Sequence, residues 1–413
     1  MSNKNGSYDV IVVGGRCAGS PTAMLLARKG YRVLLADKDK FPSDTISTHL
    51  IHPPGVAALK RWGLLDKLMN TGCPRLESYT FDFGPFAITG TPRAVDGVAT
   101  AVGPRRTVLD HLLLGSAAEA GAEVREEFRF EELVYEGDKV VGIKGCDKAG
   151  NTVTERASVV VGADGFRSKV AEQAGAEAYE DRPTYGVCYY SYWSGLDIEN
   201  FRIYMRPGDR GRELAAVPTH DGLHCIVAFW PYAEFHQNKS DVEGNFMAAM
   251  DLAPDLAEQL RKGKRETKFF GQGDVPNFVR KPYGSGWALV GDAGYHRDPC
   301  TAQGISDAFR DAELLADAID AGLSGKDDLD AALAGYQKSR DAAMMPMFEL
   351  TCSLAPQAAP PPEQMELFGA LNGNQQATND FVSVIAGTVP VPEFFAPENV
   401  QQILEAAKNG EPA

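Results

Sequence analysis

Tyr8 to Val13 is apolar at successive positions rather than at alternate ones. That pattern predicts a strand buried on both faces within a parallel sheet. A glycine-containing turn follows, and Ala18 to Lys29 then supplies helix formers. Pro21 falls in the first turn of that segment, where its missing N–H costs little. Gly30 ends the helix, and Arg32 to Ala36 is a second buried strand that stops at Asp37. The three elements make a βαβ unit.

The pattern changes further along the chain. Arg106 to Gly121 is an amphipathic helix through Val108, Leu112 and Leu113. Lys139 to Cys146, Asn151 to Glu155 and Ser158 to Val161 are strand-like. Phe81 to Thr89 and Tyr185 to Trp230 are rich in aromatic and β-branched residues. They carry turn signals at Arg206-Pro207-Gly208-Asp209 and Asp221-Gly222, which predicts an antiparallel sheet. Trp287 to Val290 returns to a buried strand, and a helix runs from about Gly304 to Ala321. The nucleotide-type fold is therefore discontinuous, with the antiparallel sheet inserted. After the proline-rich LAPQAAPPPEQ come a helix near Met365 to Leu371 and a segment whose Phe394, Phe395 and Ile403 need burial. We read this tail as an ordered cap; a disordered tail accounts for the prolines but not for the phenylalanines.

Composition narrows the function. The net charge of −15, from 41 basic and 56 acidic residues, argues against nucleic acid or an anionic membrane as the main partner. No apolar run is long enough for a spanning helix, and the polar MSNKNGSYD start is unlike a signal peptide, so stable membrane insertion is not expected. Seven scattered cysteines without CxxC read as reduced thiols in a cytoplasm. No metal site is expected: His220 and His224 flank Asp221-Gly222, a hairpin turn rather than a helix.

Four stretches carry candidate chemistry. The first is Gly14, Gly15, Arg16, Cys17, Ala18 and Gly19, with Asp37 lying 23 residues after Gly14. Such glycines let backbone approach a pyrophosphate at a helix N-terminus, and the acid accepts from a ribose hydroxyl. An arginine, however, stands where the dinucleotide fingerprint has its middle glycine. The second is PRRTVLDHLLLG, where Arg105 or Arg106 at the positive end of a helix requires an anion nearby. The third is VVVGADGFRSKVA, in which Asp164-Gly165 turns the chain beside a ligand or forms an ordinary turn. The fourth is ALVGDAGYHRDPCTAQGISDAFRD, where a strand ends at Gly291-Asp292 and Gly304 opens a helix.

In this order and spacing, over roughly residues 8 to 340, the four stretches resemble the FAD-dependent hydroxylases related to para-hydroxybenzoate hydroxylase. The wider group includes geranylgeranyl reductases and flavin halogenases. The fourth stretch is the most specific, with Pro299, Gly304 and Asp311 lying seven, twelve and nineteen residues after Asp292. The resemblance implies an α/β fold: a Rossmann-like FAD-binding domain of glutathione reductase type with an inserted antiparallel substrate sheet. Residues 1–75, 100–180 and 280–340 would form the FAD domain, 76–99 and 181–279 the substrate domain, and 341–413 a helical cap. It assigns Gly14 to Gly19 to the phosphates, Asp37 and Lys38 to the adenosine ribose, and Arg106 to FAD. Asp164 and Gly165 would serve FAD and NAD(P)H, Gly291 and Asp292 the polyol hydroxyls, and Pro299, Gly304 and Ile305 the flavin. Arg16 either folds back as an extra phosphate donor or points to solvent or a nearby acid.

Ser47, Thr48 and His49, in DTISTHLIHPPG, are candidates for the flavin edge, with His49 a hydrogen-bonding residue rather than a covalent anchor. Tyr190, Tyr192 and Trp230 are candidate substrate-lining residues. The implied reaction is NAD(P)H-dependent hydroxylation of an aromatic or polycyclic molecule with O₂, through a C4a-hydroperoxyflavin on non-covalent FAD. Tyr295, Thr301 and the Asp298-Pro299 pair depart from the hydroxylase pattern toward the reductase and halogenase branches. The halogenase WxWxIP motif is absent; the tryptophans are at 62, 193, 230 and 287. The alternatives are a flavin reductase of isoprenoid double bonds and, more distantly, an electron-carrying flavoprotein.

Overall fold

The computed structural model describes residues 7–206 and 211–409. The expected turn at Pro207 to Asp209 therefore lies outside the described residues. Tyr8–Val13 pairs in parallel with Val33–Ala36 on one side and Thr152–Gly162 on the other. Glu123–Arg125 and Trp287–Leu289 extend this parallel sheet at its two ends. Val10, Val12, Ile11, Leu34 and Val160 are all fully buried, as an unbroken apolar run requires. Helices Gly19–Arg28, Arg106–Glu119 and Gly304–Leu323 cover one face. The other face is covered by the Arg129–Glu136 and Lys139–Cys146 strands and the short helix Lys169–Gln173. The two strands expected between Asn151 and Val161 form one, Thr152–Gly162, which pairs with the hairpin at its start and with the parallel sheet at its end.

The second sheet runs in the order Lys264–Arg265, Gly186–Ser194, His224–Pro231, Arg212–Pro218, Phe201–Arg206, Tyr79–Asp82, Ala87–Gly90. It is antiparallel except where Phe201–Arg206 meets Tyr79–Asp82, which is a parallel pair joining two distant chain segments. Asp221 and Gly222 both have positive φ (63° and 67°), as a tight turn between strands demands. Side chains alternate across this sheet. Tyr190, Tyr192, Ala215, Val217, Val227 and Phe229 face the C-terminal helices Pro362–Leu371 and Gln375–Ile385. Tyr189, Leu214, Ile226, Ala228 and Trp230 face helices Val242–Met250 and Pro254–Lys262.

Trp230 is thus on the opposite face from Tyr190 and Tyr192, packed on Phe246, and does not join them as a lining residue. Phe394 and Ile403, on which the ordered-cap reading rests, are buried in the same apolar cluster as the sheet. No helix among the described residues is long and apolar enough to cross a membrane. Among them, too, no group of three or more His, Cys, Asp or Glu side chains is placed to hold a metal.

Candidate functional site

The turn from Gly14 to Gly19 sits where the first strand meets the first helix. A Cβ on Gly14 (φ +108°) would lie 2.3 Å from the Ala163 carbonyl oxygen. On Gly19 it would lie 1.8 Å from the Gly14 carbonyl oxygen. Both glycines are therefore required for the backbone to close this tightly, and the turn leads straight into the Gly19–Arg28 helix. That helix has no side-chain cap. Its first N–H groups and its dipole make an anion site. Asp37 ends the second strand. Its carboxylate accepts from the Gly15 N–H (2.6 Å) and the Asp39 N–H (2.8 Å), which holds it at the rim of the turn. Burial raises its pKa, opposed by those two N–H groups. Lys38 is exposed beside it.

Arg16 adopts the acid-pairing alternative. It donates to Asp110 (2.6 Å), Asp39 (3.0 Å) and the Ser43 hydroxyl (2.9 Å), and it lies over the Phe41 ring. Asp110 is fully buried and is the hub of this cluster. It also accepts a two-point contact from Arg106, with Nε and Nη2 each at 3.0 Å, and the Cys17 thiol donates to it at 3.3 Å. Burial pushes the Cys17 thiol well up, so it stays protonated. The anion that the basic helix start requires is Asp110 itself, one turn along the same helix. Arg106 Nη1 has no hydrogen-bond partner among the described residues, and Asp292 is close enough to reinforce its positive charge. Arg105, next to it, lies 4.0 Å over the Tyr192 ring.

Gly291 (φ +60°) presses the Gly291–Ala293 turn against the first helix, since a Cβ there would meet Ala18 at 2.7 Å. This brings Asp292 beside the glycine turn. Its carboxylate has no hydrogen-bond partner among the described residues. The following loop, from Pro299, passes through Ala302 in the left-handed region (φ 53°) and is pinned from several sides. Asp298 accepts from the Cys300 N–H (3.1 Å), and His52 bonds the Thr301 carbonyl (3.1 Å). Gly304 then opens the Gly304–Leu323 helix, with open space where a Cβ would stand, while Ile305 is buried behind it.

Asp164 has a local duty. Its carboxylate accepts from the Ser168 hydroxyl (2.5 Å) and from the Lys169 and Val170 N–H groups (2.8 and 3.3 Å), capping the Lys169–Gln173 helix. The ordinary-turn alternative describes this arrangement, with Gly165 at φ +82°. His49 is fully buried at φ 64°. Its Nδ1–H donates to the Ser47 carbonyl (2.7 Å) and its Nε2 accepts from the Tyr192 hydroxyl. Both ring nitrogens are occupied, and burial lowers its pKa to about 3, so the ring is neutral.

An apolar cleft opens between the second sheet, the Cys300–Thr301 loop and the C-terminal helices. Its aromatic wall is Phe81, Phe368, Phe381 and Phe395. Tyr190 and Tyr192 face the same side but pack on His49 and Phe270 instead of lining this cleft. A smaller adjoining void is lined by Thr48, Pro299, Cys300 and Ala302. Glu213 lines both.

A parallel sheet with a glycine turn at a helix start, an acid after the second strand, a second helix start at Gly304 and an inserted sheet define a flavin-dependent oxidoreductase. The chain matches the family described as "FAD binding domain" over residues 7–351, and it belongs to that family. It is 25% identical over 365 residues to the flavin-dependent halogenase armH1 of Armillaria mellea, covering 81% of this chain and 68% of that one. It is 28% identical over 316 residues to the digeranylgeranylglycerophospholipid reductase of Methanocella arvoryzae, covering 76% and 77%. Its fold matches PqsL of Pseudomonas aeruginosa, named "a probable FAD-dependent monooxygenase", with a TM-score of 0.71 at 21% identity over 93% of this chain and 100% of that one.

The residues present fit the flavin cofactor. The crowded glycines, the two unpartnered groups on Asp292 and Arg106, and the open start of the Gly304–Leu323 helix together offer donors and acceptors of the kind FAD presents. Sequence reasoning missed Asp110. The available signal was its i,i+4 spacing from Arg106, which puts both on one helix face.

Proposed function

We propose that this protein is a monooxygenase that uses NAD(P)H and O₂ to hydroxylate an aromatic or polycyclic small molecule. The observation that carries this reading is the aromatic-walled cleft beside the Cys300–Thr301 loop, the loop that runs into the helix start at Gly304 three residues further along the chain. Bound FAD supplies hydride acceptance and oxygen activation. The chain supplies the rest. The Gly14–Gly19 turn and the first helix hold the pyrophosphate, and Asp37 accepts from the adenosine ribose. Asp292 accepts from the polyol chain, and Arg106 donates to the cofactor through its remaining nitrogen. The N–H groups at Gly304 and Ile305 stabilise negative charge at the flavin edge. Ser47, Thr48 and His49 border the flavin, and the apolar walls exclude water from the reacting centre. PqsL, which shares the fold, has been seen in complex with 2-aminobenzoylacetate, a small aromatic compound.

The decisive experiment supplies NADPH or NADH, labelled O₂ and a panel of phenols and arylamines to the FAD-loaded protein. Product carrying one labelled oxygen atom is the expected result. The second reading, reduction of isoprenoid double bonds, is favoured by the 28% identity to the archaeal reductase and by the Asp298-Pro299 and Thr301 departures. Anaerobic consumption of reductant with saturation of an isoprenoid double bond, and no label in any product, would establish that reading instead.

Asp292→Ala is expected to weaken FAD binding roughly tenfold to a hundredfold, because a charge-assisted hydrogen bond contributes about 1.5–3 kcal/mol. Fluorescence titration of the apoprotein with FAD reads this directly. An unchanged affinity removes Asp292 from the cofactor site.

A further inference from the structure

Arg212–Pro218 is a strand whose cleft-facing positions include Ala215 and Val217, with Glu213 in line with them. Glu213 is only 7% exposed, yet among the described residues neither of its carboxyl oxygens has a hydrogen-bond partner. The nearby cations are engaged elsewhere: Arg212 is paired with Glu234 (2.6 Å), and Arg297 with Asp307. The ionisable neighbours facing it, Asp298 and Cys300, offer no positive charge. A carboxyl held in an apolar wall without a partner costs free energy, and such groups are rare enough in folded proteins to need a cause. Leucine on this strand would spare that cost. The carboxyl lines both the aromatic cleft and the void against Thr48 and Pro299, two of the residues proposed to border the flavin.

We propose that Glu213 is the residue that selects the substrate, accepting a hydrogen bond from an O–H or N–H group on an otherwise apolar aromatic molecule held in the cleft. The proposal rests on the reading of that cleft as the substrate site. It assigns the substrate class as phenols or arylamines rather than aryl ethers, hydrocarbons or carboxylates. Burial, with Asp298 nearby, raises the carboxyl well above the ordinary range, and in either protonation state its carbonyl oxygen is available to accept from a ligand O–H or N–H. Among the described residues, a ligand carboxylate would meet two acids and no cation that is not already paired.

The test is calorimetric titration of the FAD-loaded protein with 4-ethylphenol, 4-ethylaniline, 4-ethylanisole and 4-ethylbenzoate. The phenol, the aniline or both should bind about tenfold more tightly than the anisole, and the benzoate should bind worst, as expected for a net hydrogen bond to a buried acceptor. Which of the first two binds better distinguishes an O–H from an N–H substrate. Glu213→Leu should abolish the preference, and Glu213→Gln should keep it, because the amide oxygen still accepts. Equal binding of phenol, aniline and ether by the native protein, or a preference that survives Glu213→Leu, overturns the proposal. A phenol preference that depends on Glu213, without label incorporation from O₂, upholds the assignment of Glu213 and removes only the monooxygenase reading.

Discussion

Asp110→Ala is expected to destabilise the protein by about 3–5 kcal/mol, the cost of stripping the partner from a buried charge. Asp110 is wholly buried and serves two arginines and a thiol. Arg16 keeps Asp39 and Ser43 when Asp110 is lost. Arg106, only 8% exposed, loses both of its hydrogen-bond contacts. The loss should therefore fall on Arg106, which a second variant can show. Asp110→Leu combined with Arg106→Met removes the whole ion pair and should cost far less than Asp110→Ala alone, since apolar replacement of a buried pair is often neutral. Urea denaturation of the apoprotein measures both, free of any contribution from FAD. A single variant within about 1 kcal/mol of the native protein would mean that solvent already screens the cluster, as it does for ordinary surface pairs.

The same cluster shows where sequence reading reaches its limit. The parallel core was legible because its strands are apolar at every position, and Tyr8–Val13 came out with the expected bounds. Asp37 was legible because a local motif fixes its distance from the glycines. Arg16 and Asp110 stand 94 positions apart, and no local pattern connects them. Only the packing of the first helix on the Arg106–Glu119 helix brings them together. Trp230 failed for a different reason. Its strand is apolar on both faces because the sheet is covered on both sides, so alternation does not reveal which face meets a ligand. Cys225, Val227 and Phe229 face the cap, while Ile226, Ala228 and Trp230 face the helices behind. Glu213 was legible in principle: it is the one acid at the alternate positions it shares with Ala215 and Val217, a polar break on an inward face. That signal has meaning only once the face is known to be buried.

The glycine turn makes the sharpest separation between backbone strain and ligand geometry. Gly14 and Gly30 both sit at positive φ, +108° and +91°. A side chain at either carries the backbone penalty, of order 1–3 kcal/mol. Their surroundings differ. A Cβ on Gly30 meets nothing within 4 Å, whereas on Gly14 it lies 2.3 Å from the Ala163 carbonyl oxygen and 2.7 Å from its carbon. That neighbour is backbone, held by an Ala163 N–H bond to the Val13 carbonyl (2.8 Å), and cannot swing aside as a side chain would. Overpacking adds roughly 1–3 kcal/mol, so Gly14→Ala should cost about 2–6 kcal/mol against about 1–3 kcal/mol for Gly30→Ala. The larger effect is on the cofactor. Relief of the clash has to move the Gly14–Gly19 backbone, whose N–H groups we propose hold the pyrophosphate. Losing even one or two charge-assisted bonds weakens FAD by roughly tenfold to a thousandfold. Gly30, at the far end of the same helix, leaves those groups untouched. Gly30→Ala should therefore bind FAD as the native protein does, while Gly14→Ala should purify largely without flavin. Equal flavin content in the two variants would show that Gly14 serves only to turn the chain.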